Sequence, residues 1–154
     1  MINRIKALFS APTPAAGAPA SYSAEEKHIA AIALLVEAAC LDGDFGALEQ
    51  ASIRAIAAER FNLNDDEIET LMALAQTRHD HSNQLFGFTQ QIKQSYSPNE
   101  RVQVMEMLWE VAYADGVLHD YEANLLRRIG GLLYVPDRDG GDARKRVMAR
   151  LGIQ

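Results

Sequence analysis

Two short stretches hold the residues best placed to do chemistry. Residues 40–49 read CLDGDFGALE and residues 113–122 read YADGVLHDYE. Each carries an Asp-Gly pair, Asp42-Gly43 and Asp115-Gly116, with a glutamate seven residues after the Asp, Glu49 and Glu122. Carboxylates gathered beside a short turn offer hard oxygen donors, the kind that divalent cations such as calcium and magnesium take. The same acids have a plainer use. A helix start leaves backbone N–H groups free and carries partial positive charge, so a carboxylate there caps it. On the residues alone both uses stay open. The spacing is not that of an EF-hand loop. With Asp42 as position one, the twelfth residue is Ile53, where that loop needs a bidentate glutamate. Asp44 and Asp120 add acids nearby, at non-equivalent places in the two stretches.

Each stretch joins two amphipathic runs. The first predicted helix starts near Ser23, which forms a capping box with Glu26, and its apolar face is Ile29, Ile32, Leu35, Val36 and Ala39. It stops at Asp42-Gly43, and a second helix starts with Gly46 as N-cap and Glu49 three residues in. A third opens at Asn64 with Glu67, and a fourth runs from about Ser82 to Tyr96. The fifth has the strongest start, Ser97-Pro98-Asn99-Glu100, in which Pro takes the first helical position at no cost in hydrogen bonds. It ends at Asp115-Gly116. A sixth runs from about His119 to Tyr134, and a short basic helix ends before Gly152. No stretch alternates at period two. The expectation is an all-α, compact bundle of about seven helices.

A shift of 73 residues lays residues 37–56 on 110–129 without gaps. Glu37, Ala39, Asp42, Gly43, Glu49, Arg54 and Ile56 match Glu110, Ala112, Asp115, Gly116, Glu122, Arg127 and Ile129 identically. The stripes match as well, Ile32 with Met105 and Leu35 with Leu108. This predicts a duplicated helical hairpin. Leu35, Ala39 and Asp42 are spaced i, i+4, i+7, as are Leu108, Ala112 and Asp115, so each Asp is expected to prolong a buried stripe. Glu49 and Glu122 likewise head the stripes of the second helices. Within each hairpin the Asp and the Glu should then approach one another.

The chain has 154 residues and a net charge of −6, spread unevenly. Between residues 24 and 135 there are 18 Asp+Glu against 8 Lys+Arg. Such an acidic body argues against nucleic acid, whose phosphates need Lys and Arg, and fits a divalent cation or a basic protein partner. The lone cysteine, Cys40, excludes an internal disulfide and fits the reducing cytoplasm. Residues 1–23 stand apart from a domain over 24–154. In MINRIKALFS, Ile2, Ile5, Leu8 and Phe9 recur at helical spacing, and APTPAAGAPAS then reads as a flexible linker that cannot pack a core. The segment is expected to be loose or packed back on the domain. Lesser readings are a docking or membrane-surface helix and an export signal, whose apolar run is too short here.

His79-Asp80-His81 suggests a ligand cluster, though neighbouring loop residues more often form a solvated turn. His28 has no partner in the pattern, and Cys40 reads as a packed thiol. There is no phosphate-binding glycine loop, no nucleophile elbow and no zinc-protease motif. No enzyme is expected.

On the two Asp-Gly/Glu hairpins, on LNDDEIETLM and above all on SPNERVQVMEMLWEVAYADGVLHDYEANLLRRIGGLL, the chain resembles the TerB-like family, the tellurite-resistance protein B superfamily. The resemblance covers roughly residues 24–152. It implies an all-α fold with a duplicated core and an association with tellurite and chemical stress. It also implies cytoplasmic or membrane-peripheral scaffolds whose acids are suggested to chelate metal. The implied metal set is Asp42, Glu49, Asp115 and Glu122, with Glu37 and Glu110 less certain because they lie about 140° round the helix from the Asp. Gly46 and His119 depart from the pattern, where a Ser, Thr or Asp cap would be expected.

Overall fold

Two of the capping signals become helix starts in the way their chemistry requires. Ser97 accepts a hydrogen bond from the Glu100 amide at 3.2 Å, and the Glu100 carboxylate accepts one from the Ser97 amide at 2.8 Å. Asn64 and Glu67 make the same exchange at 2.8 and 3.0 Å. The structure, a computed structural model, describes residues 24–41, 46–76, 81–116, 118 and 120–153, without the side chains of 24–27, 75 and 81–84. Ser23, and with it the first predicted capping box, lies outside them.

Among the described residues there are seven helices and no strand, an all-α fold. They are α1 (Ala24–Leu41), α2 (Ala47–Phe61), α3 (Asp65–Gln76), α4 (His81–Ser95), α5 (Pro98–Ala112), α6 (Asp120–Leu132) and α7 (Asp137–Leu151). Gly46 is the N-cap of α2, as expected, and gives it no side-chain hydrogen bond.

Helix α1 is apolar nearly all round, and such a helix belongs inside. Ile29 to Val36 are all buried, with Ala38 and Ala39 beyond them. α2, α3, α4 and α5 pack about it. Helix α5 is the second centre. It buries Val104, Met105, Leu108, Trp109 and Ala112, the face read from its spacing, and also Met107 and Val111. Helix α7 covers it. Arg144 lies across the seam: its Nε donates to the Tyr113 hydroxyl at 2.8 Å, and its guanidinium stands 5.2 Å from the centre of the Trp109 ring. Arg146 and Arg150 reach Glu106 at 3.4 Å, pairs open enough to water to add little stability.

The two hairpins leave their second helices differently. α2 stops at Asn62 in the left-handed conformation, which asparagine tolerates. Past α6 the same conformation falls on Tyr134, at φ 56°, where the Val135 amide bonds back to the Gly130 carbonyl at 2.9 Å.

Candidate acidic site between the hairpins

The chain brings four helix ends together: the C-terminal ends of α1 and α5 and the first turns of α2 and α6. The Tyr121 hydroxyl, in the first turn of α6, donates to the Leu41 carbonyl at the end of α1 at 3.1 Å. The same four helix ends line a cavity of about 20 Å³, room for about one water molecule. Its walls come in pairs 73 residues apart. Leu35 faces in with Leu108, Ala38 with Val111, Ala39 with Ala112, and Glu49 with Glu122; Leu125 and Leu126 also line it. Among the described residues, the acids of the lining are the two glutamates.

Each glutamate is the third residue of its helix, so both stand where free backbone N–H groups and the helix dipole favour a negative charge. Glu122 is buried at 8% exposure, and Glu49 is half-buried. The expected stripes did head inward at these two positions.

Sequence spacing coupled each Asp to the Glu of its own hairpin; the structure adds a relation the spacing did not give, the glutamates of different hairpins on one cavity. Asp115 is not on the buried stripe. Helix α5 ends at Ala112, and the chain then tightens, with the Ala114 amide bonded to the Val111 carbonyl at 3.1 Å and Gly116 to Tyr113 at 2.8 Å. The α-helical count that set Asp115 behind Leu108 and Ala112 stops applying there, and Asp115 is exposed. Gly116 follows at φ +83°, the conformation expected of an Asp-Gly helix exit. Asp120 is exposed in the first turn of α6. Asp42, Asp44, His79, Asp80 and His119 lie outside the described residues, as does the side chain of His81.

Glu37 and Glu110 part company. Glu37 is fully buried in α1, while Glu110 is half-buried with a carboxylate oxygen 3.9 Å from Arg150. Reasoning from one helical stripe missed the burial of Glu37. The signal was present in the near-continuous apolar run from Ile29 to Val36, which leaves that helix no outer face. His28 stacks on Phe61 with ring centres 4.6 Å apart, a packing role, and Cys40 is a half-buried thiol.

A divalent cation wants several oxygen donors at one place. The cavity supplies two glutamates at helix starts, which suits such an ion in donor type. Among the described residues no three of His, Cys, Asp and Glu come close enough to hold one.

The described residues define an all-α helical bundle. The family model described as Tellurite resistance protein TerB matches residues 28–145, and the chain belongs to that family. No curated protein and no solved structure matches it. Among the described residues, no helix is long and apolar enough to cross a membrane.

Proposed function

We propose that the chain is a non-catalytic, cytoplasmic, stress-associated module of the tellurite-resistance type that binds a divalent cation where its two hairpins meet. The observation that carries this reading is the placing of Glu49 and Glu122 on one cavity of about 20 Å³. Two carboxylates on so small a space repel one another when both are ionised, and a cation relieves that repulsion. Asp42, which follows α1 in the sequence, and Asp115 are the further donors this reading calls on. Binding would fasten α2 to α6 and so couple the state of the site to the packing of the two hairpins. No proton transfer or bond cleavage is assigned to these residues.

A second reading has its own support. Both glutamates sit at the third position of a helix, where a carboxylate stabilises the helix start without any metal. The protein would then be an interaction scaffold for a basic protein partner. Isothermal titration of the full chain with calcium, magnesium, manganese and zinc separates the two. Saturable binding that disappears in Glu49→Gln/Glu122→Gln supports the cation site. No heat with any ion leaves the scaffold.

A further inference from the structure

Helix α7 encloses fewer of its residues than any other helix. Two of its fifteen are buried, Ala143 and Val147, and both are small. Helix α5, of equal length, buries seven. Met148 and the following Ile153 add partial cover. The other ties are polar. Arg146 and Arg150 reach Glu106 at 3.4 Å, from side chains 51% and 44% exposed, and Arg150 reaches Glu110 at 3.9 Å. Ion pairs so open to water hold little. Arg144 makes the firmer contact. Its guanidinium stands 5.2 Å from the centre of the Trp109 ring and 5.9 Å from that of Tyr113, and its Nε donates to the Tyr113 hydroxyl.

The start of α7 is weak in itself. Gly140 and Gly141 fall where its first turn meets its second. A Cβ at 141 would meet nothing within 4 Å, and one at 140 only the Val135 Cγ1 at 4.0 Å. Neither glycine has a positive φ. Space and backbone would accept alanine at both, and each glycine makes the helix about fivefold less favourable than alanine would. The boundary of the weak unit is sharp. Leu133 and Val135 are buried, and the Val135 amide bonds to the Gly130 carbonyl at 2.9 Å, so the chain is anchored up to that point. Pro136 follows as an N-cap that gives α7 no side-chain hydrogen bond.

We propose that α7 leaves α5 as one unit, from Pro136 onward, while α1 to α6 stay folded, and that the face it uncovers binds an arginine-bearing, amphipathic helix. The resident helix defines the chemistry of that face. The Trp109 ring and the Tyr113 hydroxyl take one guanidinium, and Glu106 and Glu110 take two more. Small residues at 143 and 147, one turn apart, form the stripe between them. Helix α7 is then an internal ligand, and a partner helix of the same kind has to displace it. The assignment does not draw on the cation site, to whose cavity α7 contributes no lining residue.

Hydrogen exchange on the unaltered full chain tests the release. Amides of residues 144–150 should exchange at least about a hundredfold faster than those of 32–36 in α1, because they open without global unfolding. Equal protection would overturn the proposal. Gly140→Ala/Gly141→Ala should slow exchange in α7 by about fivefold for each residue. Unchanged rates would mean local fraying and would also overturn it. Val147→Asp tests the uncovered face. It places a charge in the seam and should unseat α7 while α1 keeps its slow exchange; loss of protection throughout the chain would show that α7 is integral to the fold. A labelled peptide of residues 136–153 should then bind Val147→Asp saturably. It should bind the unaltered chain at least about tenfold more weakly, because the tethered α7 competes at high local concentration. The same peptide with Arg144→Gln should also lose about tenfold or more, having no charge-assisted bond to offer. No binding to Val147→Asp, or equal binding by the Arg144→Gln peptide, would remove the site.

Discussion

Glu37 and Glu110 hold the same place in their hairpins and meet different surroundings. The first is fully buried in α1, and the second is half-buried beside Arg150. The difference comes from what covers each hairpin. α1 has α2, α3, α4 and α5 about it, so its polar positions are enclosed along with its apolar ones. α5 keeps a polar edge, and α7 brings arginines to it. One sequence pattern therefore yields a central helix in one place and a two-faced helix in the other. Burial is decided by neighbours as well as by pattern. Glu49 and Glu122 show the converse. There the environments converge, because both side chains line the same cavity.

The comparison can be broken most sharply in the core. Leu35→Ala and Leu108→Ala both enlarge the shared cavity, at a cost of about 2–5 kcal/mol each. The enclosed α1 has less freedom to collapse, so Leu35→Ala should lie at the upper end and Leu108→Ala at the lower. Because the two side chains face one space, the double variant should depart from additivity by about 0.5 kcal/mol or more. Urea unfolding measures all three, and a reversed order would contradict the contrast between the helices.

The convergence of the glutamates is tested next. If they hold a cation, thermal melts of the wild type should rise with the ion. The gain is about 2.7 kcal/mol at a hundredfold excess over the dissociation constant. Glu49→Gln/Glu122→Gln should lose that gain and, in chelator, be at least as stable as the wild type. If both residues only cap, the double variant should lose about 0.3–1 kcal/mol per site with or without metal.

Helix starts separate the hairpins on a smaller scale. Ser97→Ala removes a complete capping box and should cost about 1 kcal/mol. Gly46 offers no side chain to α2, so Gly46→Ser should change stability by only a few tenths of a kcal/mol. A larger gain at Gly46 would mean that α2 frays in the native protein. Smallest is the contrast between the helix exits. Tyr134→Asn relieves a left-handed tyrosine, about 1 kcal/mol. It also loses the Lys93 ammonium 4.4 Å above that ring, worth about 0.5–1 kcal/mol. Chemical denaturation should find the two nearly cancelled.

Much of this was legible in the residues. The helices announced themselves through caps and spacing: Asn64 with Glu67, Ser97 with Glu100, and the stripe from Val104 to Ala112. The helix spans also keep the 73-residue offset, α2 to α6 and α3 to α7 within a residue or two at each end. A duplicated core is an expectation that this regularity supports, and superposing residues 24–61 on 97–134 in an experimental structure would decide it. The site was half legible. Glu49 and Glu122 point inward because their stripes do, a local property. Their meeting across hairpins depends on how the hairpins pack, which spacing within one hairpin cannot encode. Asp115 misled for a related reason. Periodicity carries a helix on until something stops it, and α5 stops three residues early.

The seam between α5 and α7 has an optical consequence. Trp109 is the only tryptophan in the chain, it is 4% exposed, and a guanidinium lies over its ring. Its emission therefore reports on the seating of α7. While α7 is seated, the indole fluoresces from a dry, positively charged niche, and when α7 lifts, the spectrum moves to the red and external quenchers reach it. Leu108, the neighbouring residue, lines the glutamate cavity. The protein thus carries a native dye on a helix that also lines the cavity, and the seating of α7 can be followed by light without any label.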